Sequence, residues 1–188
     1  AGHVEPALAV AHEFRSRYPH SEILFVGTVS GIENDLVPQA GFSLDHIKKV
    51  TFPRSISLSL LTWPFRYVAT LIQSLRLVKG CDAVIGFGGY VSAPIYMAAL
   101  IRRVPYFVHE ANAIAGFANR LGARGATQTM IAFAQTQLRH RSMRHAAIVG
   151  IPLRSTIVTA AGFTDEERRV KRLAQLAEWG LHDAPTVL

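Results

Sequence analysis

Four short stretches carry side chains whose types and spacing could do chemistry. The first is Ala1-Gly2-His3, where an imidazole follows a glycine just ahead of a helix-like run that holds Pro6 in its first turn. Backbone N–H groups at a helix start bind phosphates, so a histidine there is a candidate base beside an anion. The second is Phe87-Gly88-Gly89-Tyr90-Val91-Ser92, a glycine pair closing an apolar run. Glycines let backbone approach a ligand, and the following helix would aim N–H groups at a phosphate or diphosphate. The same pair also suits a tight strand–helix turn that holds nothing. The third is His109-Glu110-Ala111-Asn112-Ala113, with a base, a carboxylate and a two-way hydrogen bonder. Singly, each of these suits a structural role better. The fourth, Gly150-Ile151-Pro152-Leu153-Arg154, ends in a guanidinium.

Several chemistries lack their residues. Paired cysteines, a His-x-x-x-His spacing and Asp-x-Asp are all absent, so the expectation is no metal and no cofactor. No Gly-x-Ser-x-Gly elbow and no Walker lysine is present either. The chemistry then falls to backbone dipoles and basic side chains.

Stepping outward, the elements that must hold these loops alternate. Helix-like periodicity at 4–17 gives way to the apolar run Glu22–Thr28, then a helix within 30–41 and a weaker alternating strand at 42–50. Residues 52–63 read as a loop or the start of a helix, and a helix is predicted from Pro64 to Lys79, with Gly80 after it. Strands are predicted at 82–87, 104–110, 127–133 and 146–150, with helices after Tyr90 and Gly116. The fold class expected is α/β, a doubly wound parallel Rossmann-like sheet. In such sheets ligands bind outside the carboxyl ends of the strands, where all four stretches fall. The pattern changes after Arg154: Thr164 and Glu167 form a capping-box pair ahead of a charged amphipathic helix, and Thr186-Val187-Leu188 reads as a new strand. The expected division is a domain over 1–154 and a connector over 155–188. The expectation is also that a first strand precedes Ala1 and that a second domain follows Leu188.

The 188 residues are 49% hydrophobic and 18% charged, which excludes a disordered chain. A formal charge of +7 and a pI near 10.1 favour an anionic partner. Nucleic acid is the poorer candidate, because aromatics do not interleave with the basic residues. Cys81 alone precludes an internal disulfide and fits a reducing compartment. Leu58, Leu60, Leu61, Trp63 and Phe65 gather near Arg54, Arg66 and Arg76, a composition suited either to a bilayer interface or to ordinary core.

Together and in order, the four stretches resemble the MurG family of peptidoglycan glycosyltransferases. "AGHVEPALAVAHEF" is similar to the end of its Gly-Gly-Thr-Gly-Gly-His loop and the following helix. "GFGGYVSAP" resembles its Gly-Gly-Tyr-Val-Ser loop, "VHEANAIAGFANR" its His-Glu-Gln-Asn segment and "VGIPLR" its Val-Gly-Asn-Pro-Val-Arg segment. The resemblance implies the N-terminal, acceptor-binding half of a two-domain GT-B enzyme. That enzyme would move GlcNAc from UDP-GlcNAc to the MurNAc 4-hydroxyl of lipid I, giving lipid II, with inversion and without metal. It implies His3 as base, with Glu110 as alternative. Donor contacts would come from Ala1, Gly2, Asn112 and Arg154, and acceptor-diphosphate contacts from Gly88, Gly89 and Tyr90. Leu60, Leu61, Trp63 and Phe65 fall at the family's membrane patch. The implied setting is the cytoplasmic face of the bacterial plasma membrane, against its anionic inner leaflet, with other cell-wall synthesis proteins as further partners. Ala111 stands for the family's Gln and Ile151 for its Asn, so no contact is assigned to either. The fragment alone is expected to be inactive. Two other functions fit the same residues: another UDP-sugar GT-B enzyme (an epimerase or a glycolipid glycosyltransferase), and a non-enzymatic basic membrane-binding module.

Overall fold

A computed structural model describes residues 2–50, 58–178 and 180, with the side chains of 58–61 outside that description. The chain divides into two compact units, Ala1–Pro152 and Leu153–Leu188.

The first unit alternates helix and strand: α1 Val4–Arg17, β1 Leu24–Gly27, α2 Glu33–Gln39, β2 Ser43–His46, α3 Leu58–Leu77, β3 Val84–Gly86, α4 Ser92–Arg102, β4 Tyr106–Glu110, α5 Phe117–Gly122, β5 Gln128–Ile131, α6 Gln135–Arg139 and β6 Ala147–Ile148. A 3₁₀ turn, Arg141–Met143, joins the last two. All strand pairings are parallel, as helical crossovers demand. The pairing falls into two parallel pieces, β1-β2 and β3-β4-β5-β6, within the α/β Rossmann-like alternation expected.

The core follows from which side chains the crossovers trap. Ile95, Tyr96, Ala98 and Ala99 of α4 pack with Tyr106 and Val108 of β4, and with Ile47 and Val78. Val108 and Ile131 are fully buried, each contributing about 1.5–3 kcal/mol by leaving water. Leu8, Ala11, Val37 and Phe42 make a second cluster under α1 and α2. Tyr96 threads between Gly86 and Gly122: a Cβ at either position would fall onto its ring. Its hydroxyl donates to Asn119 Oδ1 at 2.9 Å, and burial pushes the phenol's pKa up strongly.

One expectation is corrected here. Helix α3 starts at Leu58, so Pro64 lies inside it and not at its first turn. Proline removes one N–H and crowds the carbonyl four residues back, yet the helix runs through it on the residues of either side. Helix α4 ends with Arg103 at φ 58°, a left-handed stop made without glycine.

In the second unit, α7 covers Ser155–Ala161, which no sequence signal had indicated, and α8 covers Asp165–Glu178. The capping box forms: Glu167 N–H donates to Thr164 Oγ1 at 3.2 Å, and Thr164 N–H donates to Glu167 Oε2 at 2.7 Å. The strand expected at Thr186-Val187-Leu188 lies outside the described residues.

Candidate functional site

The glycine pair after β3 has a conformation that side chains resist: Gly88 has φ 99° and Gly89 φ 87°. The turn feeds directly into α4. Ser92 Oγ donates to the Gly88 carbonyl at 2.6 Å, which braces the turn, while no side chain caps the start of the helix. An open helix start carries N–H groups and partial positive charge.

His3, at the start of α1, stands against this turn. A Cβ added to Gly88 would lie 3.1 Å from His3 Cε1, and one added to Gly89 would lie 4.0 Å from His3 Cδ2. The absent side chains therefore make room for the imidazole, whose residue is exposed. Two stretches separated by more than eighty residues meet here. Tyr90, 55% exposed, extends the turn outward, and Lys49 Nζ lies 4.4 Å from its ring centroid. That cation–π contact sets a positive charge next to the turn. Lys49 was not singled out by the sequence, because nothing local links it to a tyrosine so far along the chain.

The segment after β4 is a hydrogen-bonded knot. Glu110 is only 1% exposed, and four N–H groups donate to its carboxylate. Asn112 donates through its backbone N–H (2.9 Å) and Nδ2 (2.7 Å) to Oε1; Gly116 N–H (2.9 Å) and Asn119 Nδ2 (3.0 Å) donate to Oε2. Both oxygens are thus occupied from within, the geometry of a strut rather than of a base open to a substrate. Asn119, itself 1% exposed, also donates to the His109 carbonyl at 3.1 Å while accepting from Tyr96. It joins β4, α4 and α5, and its Nδ2 would lie 3.1 Å from a Cβ on Gly88. Sequence reasoning missed this residue; its one signal was an amide beside Ala118 in a short helix, next to the charged Arg120. Asn112 is exposed, with its carbonyl accepting from Thr136 Oγ1 at 3.1 Å.

His109 is buried, and its Nε2 donates to the Gly150 carbonyl at 3.0 Å. It ties the turn after β6 to the end of β4, the structural role left open for it above. Gly150 has φ 79°.

Gly2 is exposed, with open space around its Cα; Ala1 lies outside the described residues. Arg154 precedes α7 in the second unit. On α3, Phe65 is 77% exposed, with Val68 and Ile72 on the same outward face at i+3 and i+7. Trp63 is half-buried and stacked on Tyr67 at 5.2 Å. The side chains of Leu60 and Leu61 lie outside the described residues. No helix among the described residues is long and apolar enough to cross a membrane.

A further loop is held as firmly as the knot. After β1, Glu33 reaches back so that Thr28 N–H donates to Oε1 at 2.8 Å and the Thr28 hydroxyl at 3.2 Å. Burial raises the Glu33 pKa, but the Thr28 backbone N–H, its own N–H, the Thr28 hydroxyl and nearby His46 outweigh that and hold it below 4.5.

Comparison with known proteins places these features. The sequence profile of the glycosyltransferase family 28 N-terminal domain matches residues 1–131. Three bacterial proteins named UDP-N-acetylglucosamine–N-acetylmuramyl-(pentapeptide) pyrophosphoryl-undecaprenol N-acetylglucosamine transferase are similar. That of Bifidobacterium adolescentis is 43% identical over all of this chain and 49% of its own length. That of Clavibacter sepedonicus is 45% identical with the same coverage. That of Corynebacterium diphtheriae is 42% identical over 96% of this chain and 46% of its own. The chain spans about half the length of these relatives. The crystal structure of Acinetobacter baumannii MurG superposes with a TM-score of 0.61 at 33% identity, over 72% of this chain and 38% of that one.

Proposed function

The chain belongs to the family of glycosyltransferase family 28 N-terminal domains, and from that premise we propose that it is the acceptor-binding part of an enzyme that transfers GlcNAc from UDP-GlcNAc to the MurNAc 4-hydroxyl of lipid I, forming lipid II. The observation that carries this reading is the meeting of His3 with the Gly88–Gly89 turn. A general base and an anion cradle must be neighbours if a diphosphate-linked sugar is to be deprotonated where it binds.

In this mechanism the N–H groups at the start of α4, with Lys49 beside Tyr90, receive the acceptor diphosphate. His3 takes the proton of the acceptor hydroxyl as the oxygen attacks the anomeric carbon of the donor sugar. The carbon–oxygen bond to UDP breaks on the opposite face, so the anomeric centre inverts and UDP leaves with the bonding pair. Asn112 serves the donor. Glu110 and Asn119 position: they hold the segment after β4 and brace the glycine turn without touching substrate. The exposed face of α3, with Phe65, Val68 and Ile72, rests on the anionic cytoplasmic leaflet where the lipid-linked acceptor lies.

The test is transfer from labelled UDP-GlcNAc to a lipid I analogue by the full-length protein. His3→Ala is expected to lower kcat by about 10²–10⁴-fold, the usual worth of a general base, with KM for the acceptor little changed. Transfer that survives the substitution would remove His3 from the chemistry. UDP-GlcNAc turnover without use of lipid I would replace the proposed acceptor.

A further inference from the structure

Helix α5 and the α6–3₁₀ segment enclose an open groove of about 800 Å³ that the proposed reaction does not use. Five arginines line it, Arg120, Arg124, Arg139, Arg141 and Arg144, and no lining residue is acidic. Among the described residues none of the five pairs with a carboxylate. Arg144 instead donates through Nε to His145 Nε2 at 2.9 Å, and Arg120 lies 6.0 Å from the Phe117 ring centroid.

The groove belongs to the other edge of the sheet. Arg120 and Arg124 lead into the start of β5, and Arg141 and Arg144 into the start of β6. Gly88 and Gly150 follow strand ends instead, and Glu110 is the last residue of β4. Its wall is also fixed. Met143 is fully buried against Ala115, Ile131 and Ala146. Gln137 Nε2 donates to the Ala146 carbonyl at 2.8 Å, and Ala115 N–H donates to His140 Nε2 at 3.1 Å.

Five guanidiniums facing one space repel each other, a standing cost that a bound anion removes. Their planar donor forks match phosphate oxygens in pairs. The volume lies within the roughly 300–1,000 Å³ of small-molecule sites. We propose that this groove binds a soluble ligand with clustered phosphate groups, of organic-polyphosphate size, at a place distinct from the Gly88–Gly89 turn. Lipid headgroups share the phosphate chemistry, but a concave site favours a discrete anion over a bilayer surface.

The experiment is calorimetric titration of the full-length protein with tripolyphosphate at near-physiological salt. Saturable binding of about one ligand per groove is expected, with a rise in Tm. Replacing Arg141 and Arg144 together by lysine keeps the charge and loses the forks, and should weaken binding about tenfold or more. Arg120→Lys, on the other wall, gives an independent reading should the double variant lose its unligated Tm. Lys49→Ala disarms the rival anion site and should leave this binding intact. Three results would overturn the proposal: no saturable binding; lysine variants that bind as well as the parent, which would mean a diffuse field only; or an effect of those variants confined to phosphatidylglycerol vesicles, which would assign the arginines to a lipid surface.

Discussion

At the scale of single residues, the site separates groups that meet a substrate from groups that hold the shape. Asn119 is the clearest of the second kind. Removing its amide strips a donor from Glu110 and from the His109 carbonyl, and leaves the Tyr96 hydroxyl without its acceptor. Asn119→Ala is therefore expected to cost about 2–4 kcal/mol, read as a shift of the urea midpoint. An unchanged midpoint would show that the knot bears no load. Glu33 gives a pH prediction. Its folded pKa lies below 4.5, so its contribution to stability is complete above that value and is lost as pH falls through the folded pKa. The urea-midpoint gap between the parent and Glu33→Gln should be constant near neutrality and close in acid; a gap that widened in acid would contradict it. His3, the glycine pair and Glu110 were all legible as chemically loaded residues. What the sequence could not show was which of them face outward. His3 is exposed, while Glu110 is enclosed by donors from residues 112, 116 and 119, a matter of folding back rather than of residue type.

At the scale of elements, periodicity found helices and strands well and their ends less well. The alternation of β3, α4, β4, α5 and β5 was readable because β3 and the start of β4 are short apolar runs next to turn residues and β5 ends in Met130-Ile131. The start of α3 was not, because Pro64 imitates a first-turn signal that the chain passes through. In α1 the helical periodicity over 4–17 did not mark the buried face, which holds Pro6, Leu8 and Ala11, while Phe14 is 44% exposed. The face of helix α3 formed by Phe65, Val68 and Ile72 is exposed among the described residues, so replacing Phe65 and Val68 by serine should cost little stability. It should weaken binding to phosphatidylglycerol vesicles about tenfold by removing inserted apolar area. Equal vesicle binding, measured by sedimentation, would take α3 away from the membrane.

At the scale of the molecule, charge is distributed unevenly. Of 20 lysines and arginines, five line one groove between α5 and the segment leading to β6. Net charge announced an anionic partner without saying where it would bind; that required the crossovers that bring Arg120 beside Arg141. The threading of Tyr96 between Gly86 and Gly122 has a consequence of another kind. The three positions, spread over three elements, can change only in concert. A methyl at either glycine meets an aromatic ring, and a smaller residue at 96 leaves a void and an amide without its hydroxyl. For a population drifting through neutral variants they form one inherited character, and any route that alters it one position at a time must cross a less stable intermediate.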